Sequence, residues 1–577
     1  MSFSALADRF EPPLERRKSL LGFGLLFLVA FVLLVPTGAL GTTGGPSSGN
    51  PSLVGASATL TTPAPDALAA CGSPCHVAAG SSSILSAKIV LSALDGAKAV
   101  PWSFWGINVA AAAPFTNTDA AAIAATPVTF VRFPGGFLGE ELNYTSNVLT
   151  AINGSQTPAA TNVSQFVSTC RMFSCQAILQ MPAEIDSPST AAYYANYVVN
   201  TLHFQPAFWE IGNSPSGWVH FDVPWGQWAT RGGGNTTPVP FANEVAQYIK
   251  AISAVDPAGR FLALGMTMWV QGNGIFYDKS WITALASIDG TKLAGITVHS
   301  YINNAGPSKP TWSDLFANLK GEYSLPDQID ADRSYILSAC PSCTHLYMYV
   351  SEINAAQLST YDNLLTTFAG PLYEAAEATQ GLNLHVSNLD WFCYDCHFQG
   401  AWEQGPGNWQ KQYTLFRDVL SRLENQTVPI TQHGPWWLYA AATYNTSGLG
   451  LMLVNVNGNH AVNVTLGGSQ LVRGALGTEY LWQRGQSAPV KSSFTIAPSI
   501  EVPVHSILLL SVGPSGLRLG GTVAGPAGSA PAVHSAPGSS GIPLRGAAGG
   551  QELWTSAPAS VLPTPMLADS RRFPLLG

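Results

Sequence analysis

Between residues 99 and 425, short apolar, β-rich segments alternate with stretches of helical composition, and no other feature limits the fold so strongly. VPWSFWGINVA from Val100 leads to a short helix at 119–125. VTFVRF from Val128 ends in Pro134-Gly135-Gly136. Cys175 to Met181 is a third strand, followed by a helix at 190–201, and FWEIGN from Phe208 is the fourth. A helix at 243–255 precedes the strand from Phe261 to Met266, and a helix at 277–287 precedes AGITVHSY from Ala294. A helix at 333–338 precedes LYMYVSEIN from Leu346, and a long helical stretch at 358–378 precedes NLDWFCYD from Asn388. A helix at 409–423 closes the series. Eight strands alternating with helices indicate a parallel sheet. At this length the expected form is an α/β fold, a closed (β/α)8 barrel over 99–425.

From Asn425 the helical period disappears. LGLMLVNVNG, HAVNVTLGG, ALGTEYLWQRG and ILLLSVG are short strands between Gly/Asn turns, which predicts a β-sandwich over 426–513. SSILSAKIVLSAL from Ser82 is also strand-like, so residues 83–98 are expected to complete that sandwich from the other end of the chain. Residues 41–82 and 514–577 are rich in Gly, Ser, Pro and Ala, compositions of a flexible linker and a disordered tail.

Arg16, Arg17 and Lys18 stand before an apolar run from Leu20 to Val35 that continues weakly to Leu40. This predicts a cytoplasmic N-terminus over 1–19. Residues 20–40 then act either as a signal-anchor in the membrane or as a cleaved signal peptide with its site near Thr37-Gly38-Ala39. Either way the rest of the chain is expected outside, membrane-attached or secreted. Only 10% of residues are charged, and the net charge is −8 with no long basic run, which argues against nucleic acid as a partner.

Eight cysteines fall into four tight pairs, Cys71/Cys75, Cys170/Cys175, Cys340/Cys343 and Cys393/Cys396. In an oxidising compartment these read as loop-closing disulfides. CPSC and CYDC are also two C-x2-C pairs, so a zinc site is the competing reading. Sequons at Asn143, Asn153, Asn162, Asn235, Asn425, Asn445 and Asn463 suit a glycosylated surface. Oligomeric state is not readable from the sequence.

In such a barrel, function sits where strands end. Strand two ends in Arg132-Phe133-Pro134-Gly135-Gly136, whose glycines allow close backbone approach. Strand four ends in Asn213-Ser214-Pro215, strand six in His299-Ser300-Tyr301, and strand seven in Ser351-Glu352-Ile353-Asn354. A carboxylate after the apolar YMYV is costly to desolvate unless it is paired or solvated at the strand mouth. Each of these residues also has a structural reading: an ion pair for Glu352 and Arg132, core packing for His299 and Tyr301.

In this order, FVRFPGG, FWEIGN-x-P, ITVHSY and YVSEIN on a barrel followed by a sandwich resemble the clan A retaining glycoside hydrolases. The similarity is to the heparanase/β-glucuronidase and α-L-arabinofuranosidase families, over about residues 83–513. Those enzymes use two carboxylates about 5–5.5 Å apart. The resemblance implies Glu352 as nucleophile, Tyr301 as its hydrogen-bond donor, Asn213 as the amide that holds the sugar 2-hydroxyl, and Arg132 near the nucleophile. Gly135, Gly136, His299, Trp218 and Trp391 are further expected substrate contacts. No metal or organic cofactor is implied, and the partner is a carbohydrate, of uronic-acid or arabinose type on the family likeness.

The acid/base of the family's Asn-Glu-Pro falls on Ser214 here. Glu210, four residues earlier at ~3.3 Å per residue, sits about 13 Å below the mouth and is expected to be an ion-pair partner rather than a substitute. Replacement acids available in the loops are Asp222 and His220, beside Trp218, and Glu140, Glu141 and Glu403. The chain therefore reads either as a hydrolase with a relocated acid or as a carbohydrate-binding barrel that has lost catalysis. A surface-layer or adhesion protein that ignores the barrel mouth is a third class.

Overall fold

The computed structural model describes residues 84–518 except 137, 151–154, 185, 214–236, 272–273, 277–278, 302–309, 322–323, 356–361, 396–401 and 403–409. Eight parallel strands form the central sheet: β1 (Trp105–Asn108), β2 (Phe130–Phe133), β3 (Gln176–Met181), β4 (Phe208–Ile211), β5 (Phe261–Gln271), β6 (Gly295–Tyr301), β7 (Tyr347–Ile353) and β8 (Asn388–Trp391). Leu389 of β8 pairs with Trp105 of β1, and this closes the barrel. β5 runs on into a hairpin with Gly274–Phe276.

The strands are short and buried on both faces, so they read as apolar runs without obvious alternation. The structure separates the two faces. Phe130, Ile178, Phe208, Leu262 and Tyr349 form an apolar plug at the base of the barrel. Two residues further along β2, β3 and β4, the period of a strand, the same inward face carries Arg132, Gln180 and Glu210, all fully buried. The barrel interior thus changes from apolar to charged within one side-chain layer. The alternate positions Val131, Leu179, Trp209 and Ile211 face the helices.

Helices follow the predicted order with shifted ends. The structure adds Val163–Met172, which the sequence reading did not place, capped by Asn162 accepting from the Gln165 amide. It also adds a small three-stranded sheet of Leu142–Asn143, Val148–Thr150 and Gln156–Pro158. The helix Ala369–Leu384 is buried on nearly every side because it lies between barrel and sandwich. Phe368 meets Trp482 of the sandwich with ring centroids 5.2 Å apart, and Asn383 donates to the Ala440 carbonyl at 2.8 Å.

The sandwich is built from both ends of the chain. Leu85–Leu91 is an interior strand of a four-stranded sheet, parallel to Val462–Gly467 and antiparallel to Ile430–His433. The facing seven-stranded sheet includes Lys98–Ala99 paired with Gln426–Val428. The expected tail begins too early: Leu517 is 7% exposed and bridges Leu471, so the chain stays packed on the sandwich through residue 518.

Cys170–Cys175 and Cys340–Cys343 are disulfides, which removes the zinc reading for the CPSC pair, and Cys393 is also disulfide-bonded. Cys71, Cys75 and Cys396 lie outside the described residues. Among the described residues no helix is long and apolar enough to cross a membrane. The apolar run from Leu20 lies outside them.

Candidate active site

At the carboxyl ends of the strands, Arg132 gathers four partners. Its Nε donates to Glu210, Nη1 to Oε1 of Glu352 at 2.8 Å and to Oδ1 of Asn108 at 3.0 Å, and Nη2 to Oδ1 of Asn213 at 2.9 Å. β1, β2, β4 and β7 are thereby tied through one guanidinium. Arg132 is fully buried, and burial alone pulls its pKa down. The carboxylates of Glu210 and Glu352 outweigh this and leave it raised, so it stays charged.

Glu352 is 2% exposed. Its second oxygen accepts from the Tyr301 hydroxyl at 2.6 Å. Burial raises its pKa, Arg132 and Tyr301 pull it back, and the net position lies above the ordinary carboxylate range. His299 Nδ1 lies 3.4 Å from the same oxygen. Burial and the facing Arg132 hold His299 well below the usual histidine range, so this is the contact of a neutral ring and not an ion pair. The phenol of Tyr301 is pushed far up by burial and by Glu352, and it remains a donor.

The glycines after β2 are required by their neighbours. Gly135 and Gly136 have φ of +31° and +73°. A Cβ on Gly135 would meet Asn108 Oδ1 at 2.9 Å. One on Gly136 would meet the Phe392 ring at 2.9 Å and stand 3.6 Å from Glu352 Oε1. The missing side chain of Gly136 lets the loop backbone lie beside the Glu352 carboxylate.

Sequence reasoning thus brings together Arg132, Gly135, Gly136, Asn213, His299, Tyr301 and Glu352, with Glu210 as the expected ion-pair partner. Trp391 is a correction. In β8, Asn388 and Asp390 point inward, so Trp391 points outward and packs on Phe416 with ring centroids 5.9 Å apart. It faces the helices, not the mouth. Ser214, Trp218, His220, Asp222 and Glu403 lie outside the described residues.

Three residues were missed. Asn108 positions Arg132 and donates to the Ser351 carbonyl at 2.8 Å; a lone Asn inside WGINVA was its signal. Gln180 and Glu184 lie beside Glu140. Oε1 of Glu140 accepts from Gln180 at 3.3 Å, and Oε2 accepts from the Glu184 amide at 2.8 Å; Glu140 also accepts from the backbone amide of Asn213. Burial raises Glu140 well above the ordinary range, and burial with Glu141 pushes Glu184 up to about 7. QMPAEID after strand three carried the only hint of Glu184. A cavity of about 380 Å³ lies at the other end of the barrel, where Phe208 and Tyr347 begin their strands, and is separate from this cluster.

No protein-family model and no curated relative matches the chain. Solved structures do match. The α-L-arabinofuranosidase from Thermotoga maritima superposes with a TM-score of 0.58 at 13% identity, covering 74% of this chain and 100% of that one. The GH51 arabinofuranosidase from Xanthomonas axonopodis pv. citri gives 0.59 at 14% identity, covering 75% and 100%. CelM2, a bifunctional glucanase-xylanase from a metagenome library, gives 0.55 at 12% identity, covering 74% and 99%. The chain shares their barrel-and-sandwich fold.

Proposed function

We propose that this chain is an exported clan A-type glycoside hydrolase that cleaves a polysaccharide or glycoside with retention of configuration. The carrying observation is the Glu352 carboxylate, held at the end of β7 between Arg132 at 2.8 Å and Tyr301 at 2.6 Å, with the Asn213 amide on the same guanidinium. An ionised carboxylate fixed at both oxygens is what a nucleophile attacking an anomeric carbon requires. Asn213 would hold the 2-hydroxyl beside it. The matching structures are those of arabinofuranosidases and glucanases, and the order of the motifs also resembles the heparanase/β-glucuronidase family. A neutral, acidic or arabinose-type glycan is therefore the substrate class. The apolar run after Arg16-Arg17-Lys18 supports export, as anchor or signal.

At 2% exposure Glu352 must become accessible for this chemistry, and a covalent probe tests that directly. The purified chain is incubated with dinitrophenyl 2-deoxy-2-fluoro glycosides of arabinofuranose, glucose and xylose. The expected result is stoichiometric labelling of Glu352, lost in Glu352→Gln. Labelling elsewhere, or turnover of aryl glycosides that survives Glu352→Gln, would remove the reading.

One observation favours a second reading. Serine stands at position 214, and losing a general acid costs on the order of 10²–10⁴ in rate. A barrel so altered binds glycan without cleaving it. Glycan binding with no turnover of even a dinitrophenyl glycoside would select it.

A further inference from the structure

We propose that the cavity at the base of the barrel, at the end opposite the candidate active site, is a second binding site, and that it takes a sugar ring carrying a carboxylate or a sulfate. Such a site stands whether or not the barrel mouth cleaves glycans.

Strand starts build one side of it. Phe208 and Tyr347 open β4 and β7, Arg260 precedes β5, and Ser387 precedes β8. The other side comes from the sandwich and its junction. Lys98 lies in the Lys98–Ala99 strand that pairs with Gln426–Val428, and His385 ends the helix Ala369–Leu384. These segments, distant in sequence, converge on a hollow of about 380 Å³, inside the ~300–1,000 Å³ range of small-molecule sites. Phe208 and Tyr349, both part of the buried apolar plug, line its inner end.

Charge selects an anion. Acids outnumber bases by 34 to 26 in the chain, yet no Asp or Glu lines this hollow, whereas Lys98 and Arg260 do. Among the described residues neither cation has a carboxylate partner. The Arg260 guanidinium stacks over the Phe208 ring, its carbon 4.4 Å from the ring centre, which fixes the group and leaves its N–H fork for a planar anion. His385 adds an acceptor rather than a charge. The Thr427 hydroxyl donates to the Lys98 carbonyl at 3.2 Å, so it accepts from His385 Nδ1 at 3.1 Å, and Nε2 is left as an acceptor. Burial, Lys98 and Arg333 hold the ring below the usual histidine range, in that neutral form.

The rim selects a ring. Of the four aromatic side chains left exposed among the described residues, Trp102 at 55% and Tyr347 at 57% both line this hollow. Trp102 is also anchored from behind, with its ring centroid 4.6 Å from that of Phe130, so the exposed indole is held in place. A sugar lays its C–H face on such an aromatic surface and turns its hydroxyls to acceptors at the side. A bare anion would use neither the indole nor His385, and a neutral sugar would leave Lys98 and Arg260 unused. An acidic monosaccharide unit uses all of them.

The test is calorimetric titration of the purified chain with D-glucuronate, glucose 6-sulfate, glucose and sodium sulfate. One or both acidic sugars should bind saturably, about tenfold or more tighter than glucose or sodium sulfate, and the tighter of the two identifies the anion. Arg260→Gln removes a charged donor and weakens that ligand on the order of 10- to 100-fold. Arg260→Lys keeps the charge without the fork and falls between parent and Gln. Trp102→Ala weakens binding about tenfold. Should that variant unfold early, Tyr347→Ala reads the same rim from a side chain that is 57% exposed. No saturable binding of either acidic sugar overturns the assignment. So does glucose or sodium sulfate binding as tightly as they do, or an affinity unchanged in Arg260→Gln or in both rim variants. Labelling of Glu352 reads the mouth separately, so either site can fail without the other.

Discussion

The hydroxyl of Tyr301 donates to Oε2 of Glu352 at 2.6 Å, across the β6–β7 seam. This bond lowers the pKa of a carboxylate that burial has raised. Tyr301→Phe removes it, so the pKa of Glu352 rises further. A nucleophile must be ionised, so the acid limb of kcat/KM moves to higher pH. A hydrogen bond to a charged group contributes about 1.5–3 kcal/mol, so the loss at the optimum is on the order of 10- to 100-fold. A pH–rate profile of the variant, with an unchanged acid limb as the adverse result, checks both.

Arg132 is the sole cation that the described structure pairs with Glu210 and Glu352. Arg132→Met leaves two buried carboxyls uncompensated, which destabilises by about 3–5 kcal/mol. Glu210→Gln is milder, because the guanidinium keeps Glu352, Asn108 and Asn213. It also removes a negative charge that raises Glu352, so the acid limb of activity moves to lower pH. Urea unfolding of the two variants should rank them in this order.

Much of this cage was legible because it sits at strand ends, where short polar motifs stand out against apolar runs. FVRFPGG, HSY and SEIN each announce themselves in that way. Glu184 does not. Its amide meets Glu140, 44 residues earlier in the chain, and no local pattern in QMPAEID encodes that contact. Trp391 was misplaced for a related reason. NLDW is polar and apolar in alternation, but the sequence does not say which half faces the barrel axis, and the inward layer here is the polar one. The helix at Ala369–Leu384 was placed too early because an element buried on all sides has no amphipathic phase to mark its ends.

Gly136→Ala tests the loop against the carboxylate. At φ +73° an alanine costs about 1–2 kcal/mol in backbone strain, and its methyl would meet Phe392 at 2.9 Å. The loop must move away from Glu352, so kcat falls while the melting temperature drops only by the strain. An active variant would show that the close approach is dispensable.

Burial pushes Asp390 up to about 8 and Glu377 up to about 8, the latter opposed by the Tyr373 hydroxyl at 3.0 Å. An acid raised in the folded state holds its proton where the unfolded chain has lost it. Its stabilising contribution is therefore complete below the unfolded value near 4 and is lost as pH rises through about 8. The protein should be more resistant to urea at pH 5 than at pH 8. Glu377→Gln, which stays neutral, should flatten that slope. A stability that rises from pH 5 to pH 8 in the parent would contradict both assignments.

Ile89 makes the case for the two-ended sandwich. It is fully buried in the Leu85–Leu91 strand, with Val462–Gly467 on one side and Ile430–His433 on the other. An edge strand would tolerate truncation of such a side chain through local relaxation, but an interior strand has paired neighbours on both sides and cannot collapse into the gap. Ile89→Ala is therefore expected to cost about 2–5 kcal/mol. The sandwich also packs through Trp482 on the residue before the barrel helix Ala369–Leu384. The loss should consequently appear as one lowered unfolding transition of the whole described body, followed by calorimetry. A separate early transition, with the aryl-glycoside turnover of the barrel intact above it, would show that the strand from the front of the chain stabilises the sandwich alone.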